Sequence, residues 1–243
     1  IFVKINAYII KDFMESVELR SKLISDRLEC KISRPGIYTE CIKIRTNTIY
    51  VADPNELAGN NNMVKGGCFL LTSCPDYALL QAEADFLYPS SPVDRVTLLD
   101  LVLEVFEKFN TWEVALHDCL NSVTPLQDVG DCSLLFLRNP AGIYTNSFRI
   151  LCYYETPRPR QLALYHEEDV DAFLSDDDIN ELLMHPDFAD SWMSEGPERF
   201  CSLDQMVKVL YINIQINGKN LYRIVVNEYD NPFRDSDYTI LNI

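Results

Sequence analysis

At 243 residues the chain is long for one compact domain and comfortable for two, with the 47% hydrophobic and 24% charged composition of a globular protein. Its 37 acidic and 21 basic residues give a net charge of −16. Binding duplex DNA or an anionic membrane surface requires Lys and Arg against phosphates, so the chain itself is excluded from both roles.

In chain order, INAYIIKDFMESV carries apolar residues at helical spacing and predicts a short helix. LECKI and ECIKI read as short strands on either side of RPG, a turn signal. TIYVAD predicts a third strand, stopped by Pro54, and CFLLTS a buried one bounded by Gly66-Gly67 and Cys74-Pro75. PDYALLQAEADF then reads as a helix with Pro75 near its start. Strands alternating with helices predict an α/β unit over residues 1–96.

From Thr97 to Leu120 the apolar residues Leu99, Val102, Phe106, Phe109, Trp112, Leu116 and Leu120 recur at steps of three and four. Thr97 is placed to cap this helix, with Asp100 in its first turn. Over 97–121 it is either a surface helix of one domain or a connecting, dimer-forming helix.

SLLFL, GIYTN and FRILCYYE read as strands, with RNPAG as the turn between the first two. FRILCYYE is apolar on both faces, with Phe148, Ile150, Cys152 and Tyr154 on one and Leu151 and Tyr153 on the other, which predicts a central strand. HEEDVDAFLSDDDINELLMHPDFADSW reads as two short helices. QMVKVLYINIQI and LYRIVVNEY read as strands joined at Asn217-Gly218, a strong hairpin signal. Strands, small helices and a closing meander over 122–243 follow the order of a PAS- or GAF-like sensor domain. The fold class is thus α/β (α+β): an N-terminal α/β domain, a long connecting helix, then an antiparallel sheet with small helices.

Two passages carry a family resemblance. TIYVADPNEL, followed by CFLLTS and the helix ending VFEKFNTWEVALHDCL, resembles the amino-terminal regulatory domain of PucR-family transcription regulators. LLFLRNPAGIYTNSFRILCYY resembles the opening of their middle, GAF- or PAS-like domain; Asn139-Pro140 and Ser147-Phe148 match its pattern, whereas Thr145-Asn146 stands where an acidic residue is common. The resemblance implies DNA binding by a parent protein through a carboxy-terminal helix-turn-helix. LYRIVVNEYDNPFRDSDYTILNI contains no such pair of helices. The implied role of this chain is to sense a signal, to pair protomers as a homodimer, or both.

No catalytic motif rises above the bland reading of its residues. The eight cysteines include no CxxC, and Cys68, Cys119, Cys132 and Cys152 lie in helical or apolar runs, as buried reduced thiols do. That, with no run of about eighteen apolar residues and no signal-peptide pattern in IFVKINAYII, gives the expectation of a cytoplasmic protein without metal or cofactor. His117 falls on the long helix, His166 opens an acidic stretch and His185 precedes Pro186. A Cys–His pair joining His166 to Cys152 or Cys201 needs a proximity that sequence does not supply. Residues 167–198 hold twelve carboxylates and no Lys or Arg. DVDAFLSDDDIN lacks the EF-hand glycine and glutamate spacing, and Asp176, Asp177 and Asp178 suit a helix start.

Tyr144, Phe148, Tyr154, Tyr211 and Tyr222 fall on the expected sheet of the second domain. They form either a plain aromatic core or the wall of a pocket for a small-molecule effector. The expected function is non-enzymatic: a regulatory module that senses a ligand, or a dimerisation module that binds none. A small enzyme with an unrecognised site is the remaining alternative.

Overall fold

A computed structural model describes residues 4–40, 42–58, 64–154, 174, 176–186, 188–201, 208–229 and 231–243. The chain divides into two compact units, Ile1–Glu113 and Val114–Ile243.

The first unit runs α1 (Ala7–Phe13), β1 (Leu19–Lys22), β2 (Arg34–Ile37), β3 (Thr48–Ala52), α2 (Pro54–Leu57), β4 (Cys68–Leu71), α3 (Tyr77–Leu80), β5 (Asp85–Pro89) and α4 (Arg95–Cys119), the last continuing past its boundary. Its sheet has the order β1-β5-β4-β3-β2, with β2 to β5 parallel and β1 antiparallel to β5. Every residue of β3 and β4 is buried, as continuous apolar runs in a parallel sheet require. Tyr38, Tyr50, Phe69 and Phe86 form one aromatic row of the core, with ring centroids 5.7–6.5 Å apart.

The expected turn at RPG is itself strand β2. Pro35 is tolerated there because β2 is an edge, where one side of the strand needs no ladder donor. Of LECKI only Ile32 bridges, to Ile5, and of ECIKI Ile42 and Ile44 pack half-buried against the core without forming a strand. Cys41 lies outside the described residues. The helix expected from PDYALLQAEADF is only one turn long, capped by the Asp76 side chain. Its end instead becomes β5, where the buried Asp85 carboxylate accepts the N–H groups of Ile24 and Ser25 at 2.6 and 3.1 Å.

Helix α4 buries Leu98, Val102, Val105, Phe106, Phe109, Trp112 and Cys119. The stripe is therefore offset by one residue at each end from the expected Leu99 and Leu120; Leu120 is 69% exposed. The cap is Asp94, whose carboxylate accepts the backbone N–H of Thr97 at 3.0 Å and its hydroxyl at 2.5 Å, so Thr97 is the capped partner.

The second unit continues with α5 (Pro125–Leu137), β6 (Ala141–Thr145), β7 (Ile150–Tyr154), α6 (Asp176–Met184), α7 (Phe188–Ser191), β8 (Glu198–Cys201), β9 (Lys208–Ile216), β10 (Lys219–Asn227) and α8 (Asp235–Asn242). SLLFL is the end of α5, not a strand. Gly130, Ser133, Phe136 and Leu137 are buried at helical spacing while Leu135, inside the apolar run, is 75% exposed. RNPAG accordingly joins a helix to a strand, with Arg138 left-handed at φ 58°.

The sheet is antiparallel throughout, in the order β7-β6-β10-β9-β8. Among the described residues β7 thus lies at the edge of the sheet rather than at its centre, and it packs against α5. Asn217 and Gly218 both have positive φ, 53° and 74°, which is what a two-residue hairpin loop demands. Strand β8 and helix α8 have no counterpart in the sequence-based expectation.

Candidate functional site

Strand register sorts the second unit's side chains onto two faces. Tyr222 pairs with Thr145 and Ala141 with Tyr154, so Tyr222 and Tyr154 share a face. Tyr154 is buried there against α5: a Cβ on Gly130 would lie 1.7 Å from its ring, and its hydroxyl donates to the Leu126 carbonyl. Burial, and then the neighbouring Cys152 thiol, push the Tyr154 phenol well above its ordinary range. That tyrosine is part of the packing between strand and helix.

The opposite face carries Tyr211, Asn213, Arg223 and Tyr144, since Asn213 pairs with Arg223 and Arg223 with Tyr144. Here α7 covers the sheet. Phe188 stands edge-on to Trp192 and Phe200, and Phe200 packs against Tyr211. Phe148 reaches this face from the β6–β7 turn, where φ of 64° turns its ring onto Phe188 with centroids 6.0 Å apart. A left-handed conformation costs a non-glycine residue about 1 kcal/mol or more and is held by its surroundings.

Of the five expected aromatic residues, the fold therefore gathers Tyr211, Phe148 and Tyr144 on the α7 face and leaves Tyr154 and Tyr222 on the other. At the centre of the α7 face lies a residue that the aromatic pattern did not single out. Arg223 is 3% exposed, and its Cζ sits 3.9 Å from the Trp192 ring centroid, 4.5 Å from Tyr211 and 5.3 Å from Phe188. Its Nε donates to Asn213 Oδ1 at 2.9 Å. Asn213 is itself oriented, because its Nδ2 donates to the carbonyls of Ser191 and Ser194 at 2.8 and 3.1 Å. Among the described residues neither Nη1 nor Nη2 of Arg223 has a hydrogen-bond partner.

Desolvation pulls the Arg223 guanidinium down to about 10, which still leaves it charged at neutral pH. Burial, then the Glu198 carboxylate that accepts the Tyr211 hydroxyl at 3.2 Å, push Tyr211 up to about 12. The sequence signal for the site is a lone cation inside the apolar run LYRIVV. Its meaning depends on the register that sets it beside Asn213.

The other sequence candidates are scattered. His117 is exposed on α4, and His185 packs against the Phe200 ring. His166 and the Cys201 side chain lie outside the described residues, so neither Cys–His pairing falls within them. Cys152 Sγ lies 2.8 Å from the Tyr154 hydroxyl, and burial raises its thiol. Asp176 opens α6, and the side chains of Asp177 and Asp178 lie outside the described residues. Among the described residues no group of three His, Cys, Asp or Glu is arranged to hold a metal ion, and no helix is long and apolar enough to cross a membrane.

No protein-family model matches the chain, and no curated protein matches it. Among solved structures the chain is similar to the cofactor-binding GAF domain of the nutrient sensor CodY from Clostridium difficile. That match has 15% identity and a TM-score of 0.36, over 56% of this chain and 90% of the other. A superposition at that level leaves function to be argued from this chain's own residues.

Proposed function

We propose that the chain is a non-enzymatic regulatory portion of a transcription regulator of the PucR type, and that its second unit senses a small-molecule effector. One observation carries this reading: a buried guanidinium, boxed by aromatic rings, whose two NH₂ groups have no acceptor among the described residues. Burying a charge without a partner costs several kcal/mol, roughly the range of a domain's whole stability margin. A bound ligand that supplies the missing acceptors would offset that cost. In this reading the effector biases a two-state arrangement of protomers, and a DNA-binding segment outside this chain reads the change.

Thermal unfolding of the chain against a panel of neutral, cationic and anionic small molecules tests the reading. At least one compound raises the melting temperature with a dependence on RT ln(1 + [L]/Kd). A panel in which none does so contradicts ligand sensing.

A second reading, a module that only pairs protomers, is favoured by one feature of α4. Val96, Leu103 and Val114, spaced seven and eleven residues apart, fall on one side of the helix and are 66%, 46% and 60% exposed. Sedimentation of Leu103→Glu beside the unmodified chain separates the readings. A dimer that dissociates in the variant supports pairing through α4, and a monomer in both removes it.

A further inference from the structure

We infer that the α7 face of the second unit is a carboxylate-binding site, in which Arg223 grips a small monocarboxylate through Nη1 and Nη2. The inference rests on the ligand-sensing reading and names the class of effector.

The geometry of the guanidinium selects the anion. Arginine presents its donors in one plane, and Nε is already committed to Asn213 Oδ1. The edge that remains is the pair Nη1 and Nη2, whose parallel N–H bonds match the two oxygens of one carboxylate. The Trp192 indole, 3.9 Å from Cζ, and the Tyr211 ring, 4.5 Å away, lie against the guanidinium. A ligand therefore meets Arg223 in its own plane and leads with a planar group.

Charge sets the valence. Among the described residues Arg223 is the cation that lies over these rings. The Glu198 carboxylate stands on the same face, bound to the Tyr211 hydroxyl. One negative charge neutralises Arg223; a dianion such as a phosphate monoester meets one cation and a carboxylate that repels it. Phe148, half-buried and stacked on the buried Phe188 of this face, supplies apolar surface for the remainder of the ligand.

Asn213 is the positioning residue. Its amide ties the Arg223 Nε to the backbone carbonyls at the end of α7, so the guanidinium is held before ligand arrives and the order of α7 is coupled to the same strand. That arrangement separates two kinds of damage. Removing the guanidinium removes the anion's partner, whereas removing the Asn213 amide leaves the charge in place and loosens it.

The test is titration calorimetry of the full chain with matched pairs: acetate and acetamide, isovalerate and isovaleramide, phenylacetate and phenylacetamide, with inorganic phosphate as the tetrahedral anion. The proteins are the unmodified chain, Arg223→Met, Arg223→Lys and Asn213→Ala. Expected is saturable binding of at least one carboxylate, at least tenfold weaker binding of its amide and of phosphate, and at least tenfold loss in Arg223→Met. Arg223→Lys retains charge without the fork and recovers only part of the affinity, and Asn213→Ala binds more weakly than the unmodified chain.

Amides binding as tightly as carboxylates overturn the carboxylate assignment while leaving a ligand sensor. Phosphate binding more tightly than every carboxylate overturns it in favour of a tetrahedral anion. Carboxylate binding undiminished in Arg223→Met places any site elsewhere. No binding by any probe, with no stabilising compound in the thermal panel, overturns the ligand-sensing reading together with this one. Retention of the native far- and near-ultraviolet circular dichroism by Arg223→Met shows that loss of binding is not loss of fold.

Discussion

Among the described residues each unit buries one charged side chain on a strand, Asp85 at the start of β5 and Arg223 within β10, and the two are treated oppositely. Asp85 on β5 is 6% exposed, and its carboxylate receives the N–H groups of Ile24 and Ser25. Nearby, the Lys22 ammonium donates to the carbonyls of Ala82 and Ala84 at 2.6 and 3.1 Å, so the chain around β5 closes its own hydrogen bonds. Arg223 on β10 is 3% exposed and among the described residues has one hydrogen-bond acceptor, Asn213 Oδ1, with aromatic rings against the guanidinium. A buried charge whose donors or acceptors are met by the backbone belongs to the architecture. One whose hydrogen-bonding edge is left over marks a place where an outside group belongs.

The contrast is broken most forcefully at Asp85. Asp85→Ala strands two backbone donors and is expected to cost about 2–4 kcal/mol, read as a lower urea midpoint with the slope unchanged. A loss below about 0.5 kcal/mol, the range of a plain surface substitution, contradicts the structural role given to Asp85. Next comes Gly130→Ala, which drives a methyl into the Tyr154 ring and is expected to cost about 1–3 kcal/mol by the same measurement. Stability equal to the unmodified chain contradicts the close packing of Tyr154 on α5.

Arg223→Met, without ligand, sharpens the comparison from the other side. It removes an unmet charge and keeps apolar bulk, so stability is expected to stay level or rise by about 1 kcal/mol. A fall as large as that of Asp85→Ala makes Arg223 structural and dissolves the difference between the two units.

The smallest effect is set by pH. Burial raises the Glu228 carboxyl, but Lys208 at 2.8 Å and the Phe233 N–H at 2.8 Å outweigh it and leave it below its ordinary value. A lowered carboxyl contributes stability above its unfolded value and loses it as pH falls through the folded one. Unfolding of Glu228→Gln across the acid range is expected to show a shallower decline than the unmodified chain. An identical slope removes Glu228 from the account.

Much of the fold was legible where local pattern and tertiary packing agree. TIYVA and CFLL are short apolar runs stopped by proline or glycine signals, and each is a buried strand. Asn217-Gly218 admits positive φ, and it turns the hairpin. SLLFL misled because its four apolar residues in a row, Leu134 to Leu137, carry no period. The helix becomes visible only when the window reaches back to Pro125 at its first turn. RPG misled because proline and glycine mark turns on average, while an edge strand also accepts them.

The face that gathers these aromatics was half legible. Tyr211, Phe148 and Tyr144 were read as sheet aromatics and do share a face. Tyr154 and Tyr222 fall on the other because a strand's alternation assigns faces only once its register is known. Arg223 was hidden for the same reason. Within LYRIVV it is one polar residue, and only its pairing with Asn213, opposite α7, gives it a role.

The most direct test of the central claim is Trp192 fluorescence in a Trp112→Phe background, since the sequence holds two tryptophans and the Trp192 ring lies 3.9 Å from Cζ of Arg223. Titration with the carboxylate bound most tightly is predicted to change the emission saturably, and the change is predicted to vanish in Arg223→Met. Emission that responds identically in both proteins, or does not saturate in either, would contradict the assignment of Arg223 as the ligand's partner.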